Sequence, residues 1–359
     1  MRRWRIVHEW TSLACTLFLF VLCLTGLPLI FADEIGGAHP ITNSGVTASL
    51  DGIVQRSGVR PAFVRIAADE GRIYVGPAGG GRPLLFDMAS GAAATEGRSR
   101  SSGMMDLLLA IHGELFVGLA GRLFIAAVGL CALASVVSGI MIYAPFAGSR
   151  PFADIRTART RRLAWLDRHN VIGIATAAWL MVVAGTGVMN AVEHPLFALW
   201  RQHVPDALAP ASASRLRIGP DRALAAARAS APGMIFETII FPGKAPGIPG
   251  YFLVWGEGKT PLTARLAAPV TIDAASGLAV GSGTLPMPWY LTMLDLSRPL
   301  HFGDYGGLPL KILWALLDGT ALIVLGSGLH LWLARHRRDG RIRRATSGTL
   351  QSINLEAAE

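Results

Sequence analysis

Four runs of this chain carry almost no charge, and each is long enough to cross a lipid bilayer. They are Trp10 to Ala32, Leu123 to Ser149, Asn170 to Val192 and Ile312 to Ala334, the last broken only by Asp318. A helix of about 20 apolar residues spans roughly 30 Å of hydrocarbon. Backbone polar groups at that depth must be satisfied within the segment, so runs of this length are read as helices. The runs account for a composition that is 52% hydrophobic and 16% charged, too apolar for a soluble enzyme. The expected fold is a mainly α membrane protein built on a four-helix transmembrane bundle.

Arginine placement orients the bundle. Arg2, Arg3 and Arg5 precede the first run; Arg150, Arg156, Arg159, Arg161, Arg162 and Arg168 crowd the link between the second and third; Arg335, Arg337, Arg338, Arg341, Arg343 and Arg344 follow the fourth. The positive-inside rule puts all three clusters, and both termini, in the cytoplasm. The net charge of +9 then reflects topology and contact with anionic lipid, not a nucleic-acid surface. The chain divides into helix 1 (1–32), an outer module (33–117), helix 2 (118–146), a basic cytoplasmic loop (147–168), helix 3 (169–192), a second outer module (193–305), helix 4 (306–334) and a cytoplasmic tail (335–359). The first run is read as a retained span. It is longer than a signal-peptide core and lacks a small-x-small cleavage site.

The two halves of the chain repeat each other. His112 and His301 are each followed by a glycine at +6 (Gly118, Gly307), a base at +10 (Arg122, Lys311), Ser-Gly at +26 and +27 (Ser138-Gly139, Ser327-Gly328) and an aromatic at +31 (Tyr143, Trp332). His8 and His169 each precede a Thr-Gly pair by 17 and 18 residues (Thr25-Gly26, Thr186-Gly187). The repeating unit is helix, outer domain, helix, over His8–Tyr143 and His169–Trp332. Both copies start on the same side, so their pseudo-two-fold axis runs along the membrane normal.

The outer loops read as small α+β modules. Pro220 to Ala231 has helical spacing with Asp221 in its first turn. MIFETIIF (Met234–Phe241), YFLVW (Tyr251–Trp255) and PVTID (Pro269–Asp273) read as strands, as do VRIAA (Val64–Ala68), RIYVG (Arg72–Gly76) and PLLFD (Pro83–Asp87) in the first loop. Both loops follow their last such strand with D-x-x-S-G. Neither carries a glycine-rich nucleotide motif, a metal-spaced Cys/His set or a catalytic triad. Cys15, Cys23 and Cys131 all fall within spans, so no disulfide framework serves the outer modules. The lack of C-x-x-C-H excludes standard covalent haem attachment.

The D-x-x-S-G endings resemble the close of a PepSY module. The histidine-led second and fourth spans, the last closing on SGLHLWLAR, resemble the PepSY-associated transmembrane family. That family includes iron-regulated inner-membrane proteins and siderophore-iron reductases carrying b-type haem. The resemblance implies a bacterial inner-membrane location, two periplasmic PepSY-like modules and two haem b groups. It implies axial ligation of one haem iron by His8 and His169 and of the other by His112 and His301. Bundle cores commonly hold haem, and two imidazoles per iron suit electron transfer. Arg122 and Lys311 stand where they could neutralise haem propionates or snorkel to lipid phosphate. His330, whose repeat mate is Met141, is the substitute ligand at the cytoplasmic end. His39, His194 and His203 lack mates, and His336 sits in the basic tail. A continuous helix from His112 to Ser138 would be roughly 39 Å long, so a bend is expected at Gly118 and at Gly307. Asp318 could pair with Lys311 or carry a proton.

The function implied is delivery of electrons from quinol or a separate reductase to a ferric siderophore or similar chelate. The acceptor would meet the outer domains near His301, Asp304 and Tyr305, and iron would be released as Fe(II). The alternatives are a non-enzymatic PepSY regulator of an envelope protease and an accessory protein for metal transport.

Overall fold

A computed structural model describes residues 1–36, 48–68, 70–94, 100–146, 155–156, 160–207, 217–243, 247–260, 266–284 and 287–356. His39, Arg150 and Arg159 lie outside these residues. In chain order the elements are helices α1 (Arg2–Ile30), α2 (Ala32–Gly36) and α3 (Leu50–Ser57), then strands β1 (Pro61–Ala67), β2 (Arg72–Pro77), β3 (Leu84–Asp87) and β4 (Ala93–Ala94). Helices α4 (Arg100–Glu114), α5 (Leu119–Tyr143), α6 (Arg161–Ala191), α7 (Glu193–Ala207) and α8 (Pro220–Ser230) follow. Strands β5 (Met234–Ile240), β6 (Tyr251–Gly258), β7 (Ala267–Asp273) and β8 (Ala279–Thr284) precede helices α9 (Trp289–Phe302) and α10 (Gly307–Glu356). The chain forms two compact units. One comprises Met1–Ile30, Leu108–Ala191 and Leu300–Glu359; the other comprises Phe31–Leu107 and Val192–Pro299.

The first unit is the bundle. Helices α1, α5 and α6 and the Gly307–Arg337 part of α10 are long and apolar enough to cross a membrane. Their few hydroxyls are satisfied within the helix: Thr11 donates to the Val7 carbonyl (2.7 Å), Thr16 to Ser12 (2.6 Å) and Thr176 to Ile172 (2.8 Å). Such back-bonding lets a polar side chain sit in an apolar helix without an orphaned donor. The helices form a ring, with α1 against α5, α5 against α6, α6 against α10 and α10 against α1. The diagonals, α1 with α6 and α5 with α10, therefore face each other across the core. Apolar side chains buried there are small, among them Cys15, Ala126, Val128, Ala132, Ala177 and Ala321.

Neither α5 nor α10 begins at its histidine. Helix α4 ends at Glu114 and α5 starts at Leu119, with positive φ at Leu115 (49°), Phe116 (60°) and Gly118 (61°). Helix α9 ends at Phe302 and α10 starts at Gly307, with positive φ at Gly303 (70°) and Gly307 (63°). The breaks at Gly118 and Gly307 are the bends that helix length demands. Left-handed backbone is costly for residues with a Cβ, which explains glycine at both equivalent positions.

The second unit is one eight-stranded antiparallel sheet in the order β4-β3-β2-β1-β5-β6-β7-β8. The two outer loops are therefore joined. β1 pairs with β5 through Phe63 and Ile240, Val64 and Ile239, and Arg65 and Thr238. Helices α3 and α8 contribute Leu50, Ile53, Ala223, Leu224 and Ala227 to a core with Val64, Ile73, Val75, Ile239, Phe252, Val254, Val270 and Ile272 of the sheet. Across the seam, Asp221 of α8 caps α3, accepting from Leu50 N (2.9 Å), Asp51 N (3.1 Å) and Ser49 Oγ (2.6 Å). The two D-x-x-S-G turns match. Asp87 Oδ1 accepts from Ser90 N (2.7 Å) and Asp273 Oδ1 from Ser276 N (2.6 Å), with Gly91 and Gly277 at φ 66° and 74°.

Candidate functional site

The bundle gathers four of the histidines marked by the repeat into two pairs, each joining the two halves of the chain. His8 of α1 meets His169 of α6 with ring centroids 6.4 Å apart and planes at 65°. His112, from the last turn of α4, meets His301, from the last turn of α9, at 6.1 Å and 59°. The first pair lies toward the arginine-rich end of the helices. The second lies toward the other end, since His112 packs against Thr25, 17 residues along α1 from His8 (25 − 8). That corresponds to about 25 Å of helix at 1.5 Å per residue.

Hydrogen bonding places a proton on Nδ1 of each ring. The Nδ1 of His8 lies 2.8 Å from the Ser135 carbonyl, that of His112 3.0 Å from the Leu22 carbonyl and that of His301 3.1 Å from the Val183 carbonyl. A carbonyl only accepts, so each of these Nδ1 atoms carries the proton. His169 Nδ1 lies 2.9 Å from Ser327 Oγ, whose own proton goes to the Val324 carbonyl, so this Nδ1 donates as well. The consequence is the same in all four: in the neutral ring the lone pair is then on Nε2, the nitrogen through which such an imidazole binds a metal.

The Ser/Thr-Gly pairs, which mark the register of the repeat in the sequence, build the histidine sockets. Thr25 and Thr186 place their hydroxyls 3.2 Å from the Nδ1 of His112 and of His301. Ser138 Oγ lies 3.4 Å from His8 Nδ1. The glycine after each hydroxyl residue makes room for the ring. A Cβ on Gly26 would stand 2.9 Å from His112 Cε1, on Gly139 3.1 Å from His8 Cε1, on Gly187 3.1 Å from His301 Cε1 and on Gly328 3.3 Å from His169 Cε1. Each histidine is thus held by the partner helix of its own half, while the facing imidazole comes from the other half. Sequence reasoning found the four pairs but not this use of them; the signal was their shared spacing from a histidine.

The ring separations test whether one metal ion fits between each pair. A metal–imidazole bond of about 2 Å on each side, plus about 1.2 Å from each nitrogen to its ring centre, gives about 6.4 Å between centroids. The observed 6.4 and 6.1 Å match this value. Among the described residues no group of three or more His, Cys, Asp or Glu side chains could cage a bare ion. Each pair offers two imidazoles that would fit on either side of one metal ion.

The other marked residues stand apart from the pairs. His330 packs its ring against Trp165 at 5.3 Å, and Arg168 lies over the same indole at 5.6 Å. Arg122 Nε sits 3.4 Å from Glu114 Oε2 across the break before α5. Lys311 is buried at the start of α10. His194 and His203 are exposed on α7, and His336 stacks on Trp332 at 4.1 Å.

Residues 5–335 match the family model described as the PepSY-associated TM region. The chain belongs to that family. It is also similar to an uncharacterised protein of Pseudomonas aeruginosa, 28% identical over 269 residues that cover 67% of this chain and 66% of the relative. The chain thus spans just under two thirds of the relative's length.

Proposed function

We propose that this member of the PepSY-associated transmembrane family is a two-haem electron carrier of the bacterial inner membrane that reduces a periplasmic ferric chelate. The observation that carries the reading is the two histidine contacts between the halves, 6.4 and 6.1 Å between centroids, with Nδ1 of all four rings hydrogen-bonded. A b-type haem held between two imidazoles supplies a one-electron couple without an open coordination position. The protein's part is to orient and to exclude. The Nδ1–H bonds fix each ring and raise its basicity. Arg122 and Lys311, equivalent in the repeat, supply positive charge for propionates.

The arginine clusters at one end of the helices support a cytoplasmic reading of that end, and of both termini, by the positive-inside rule. Electrons enter at the His8–His169 end from a quinol or a separate reductase and leave at the His112–His301 end. The two halves of the sheet domain, each ending in a D-x-x-S-G turn, are read as PepSY-like modules. The acceptor proposed is a ferric siderophore, too polar to enter the bilayer. Adding one electron lowers the charge on iron and weakens its attraction to hard oxygen donors, so Fe(II) is released.

The test begins with the visible spectrum of the purified protein. Sharp low-spin α and β bands after dithionite reduction are expected; a colourless, fully folded preparation would overturn the reading. In liposomes, an impermeant ferric siderophore added on the side away from the arginine-rich helix ends should oxidise pre-reduced protein. Loss of that reaction in His301→Ala, with the His8–His169 haem still reducible, is the expected result.

A further inference from the structure

Asp318 is the one carboxylate within the apolar run of α10. It is 8% exposed, and its Oδ2 has no hydrogen-bond partner. The Cys23 thiol of α1 donates to its carboxylate. Two helices pack against α10, α1 and α6. Between Glu9 and Ile30, α1 offers only Cys15 and Cys23 as ionisable groups, and α6 offers none between His169 and Ala191. On α10 itself, Lys311 stands about two turns away. Asp318 therefore has no cation facing it from either neighbouring helix.

Its level in the bundle is informative. Asp318 is nine residues from Ser327 (327 − 318), which holds His169, or about 13.5 Å along the helix axis. Its neighbour Cys23 is two residues from Thr25, which holds His112. The carboxyl thus lies between the levels of the two histidine pairs. Ionisable groups at this depth face the protein interior and characteristically mark proton relays.

We propose that Asp318 is a proton-binding site coupled to electron passage, taking up one proton when an electron arrives in the bundle and releasing it when the electron leaves. This rests on the two-haem reading. The electron comes from a membrane quinol, whose two-electron oxidation also releases two protons. Asp318 changes from carboxylate to carboxylic acid, with the thiol of Cys23 and the apolar wall around it unchanged. An added negative charge about 13 Å away, at an effective dielectric constant of about 20, raises the proton affinity of the carboxyl about tenfold. The unpartnered Oδ2 is the atom positioned to receive the proton.

The experiment is a spectroscopic redox titration of the haem-loaded, full-length protein at a series of pH values, compared with Asp318→Asn and Cys23→Ser. The native midpoint should fall as pH rises, with a much shallower slope in Asp318→Asn at full haem content; Cys23→Ser should keep the slope and move its pH range. Reduced-minus-oxidised infrared spectra should show a protonated-carboxyl carbonyl band that Asp318→Asn lacks. Equal slopes in native protein and Asp318→Asn, or a carbonyl band surviving that substitution unchanged, would overturn the proposal. A colourless preparation would overturn the two-haem reading and the coupling with it, and would be recognised before any titration by its missing visible bands.

Discussion

The bundle and the sheet domain bury different things. The sheet domain fills its core with large side chains: Phe252, Ile53, Ile73, Ile239 and Leu50 are all fully buried. Among the described residues of the bundle, the buried apolar side chains are cysteine, alanine and one valine, Val128. Small residues let membrane helices approach closely, and the same bundle holds two pairs of imidazoles with ring centroids 6.4 and 6.1 Å apart. One region is complete as a hydrophobic core. The other is arranged around four imidazoles in two facing pairs, and the comparison teaches where a bound group would contribute stability.

The sharpest way to break that contrast is to remove a histidine pair. In the double variant His112→Ala/His301→Ala, haem content measured by pyridine haemochrome should fall from two per chain to one. The fold of the sheet domain, followed by limited proteolysis, should not change. A variant that retains two haems would mean the pair is not a ligand pair. Conversely, Phe252→Ala should cost the sheet domain about 3–5 kcal/mol through lost burial and the cavity left behind. Haem per folded chain should stay the same. Haem loss in step with sheet destabilisation would show that the two regions are not energetically separate.

A third measurement uses pH to act on the sheet unit alone. Asp295 of α9 is buried, and its pKa is raised to about 7, first by desolvation and then by Glu257 and Glu193, against the opposing pull of Arg298. Its folded-state pKa lies above the ordinary carboxylate value near 3.8. The folded state therefore holds the proton more tightly than the unfolded state does. The resulting stability is fully present below about pH 4 and is lost as pH rises through about 7. The loss should amount to a few kcal/mol. Chemical denaturation followed by Trp255 fluorescence should show it, and Asp295→Asn should flatten the dependence. A native protein whose sheet unit is equally stable at pH 5 and pH 8 would contradict this account.

Much of the bundle was legible in the sequence because its signals are local. A run of apolar residues declares a span, and a helix too long for the bilayer declares a bend near Gly118. The pairing of His8 with His169 followed from repeat symmetry. The sheet was less legible. The strand segments could be read from their β-rich composition, but the β1–β5 pairing joins residues more than 170 positions apart, and nothing in either strand names its neighbour. Helix α3 went unread because LDGIVQRS carries a glycine and few apolar residues; its support comes from Ser49 and from Asp221 in the other half. The hydroxyl–glycine sockets were visible only as a repeated spacing, since their use depends on which helix each histidine meets.

The finest distinction is between the two sockets nearest the basic end of the bundle. His8 Nδ1 is bonded to the Ser135 carbonyl at 2.8 Å, with Ser138 Oγ a longer 3.4 Å away. His169 Nδ1 meets Ser327 Oγ at 2.9 Å. Removing the Ser138 hydroxyl leaves His8 its backbone acceptor, so the ring keeps its tautomer and its orientation. Removing the Ser327 hydroxyl takes away the closest acceptor of His169 and leaves its Nδ1–H to the Val324 carbonyl alone. Outer hydrogen-bond partners of metal-binding histidines typically contribute about 10–100-fold in metal affinity. Ser327→Ala should therefore weaken haem binding by about that factor at one site, while Ser138→Ala should change it by less than about threefold. Haem transfer to apomyoglobin, monitored in the visible spectrum, measures both. Equal effects of the two substitutions would mean that the repeat uses its hydroxyls alike, and that the backbone carbonyl of Ser135 does not hold His8.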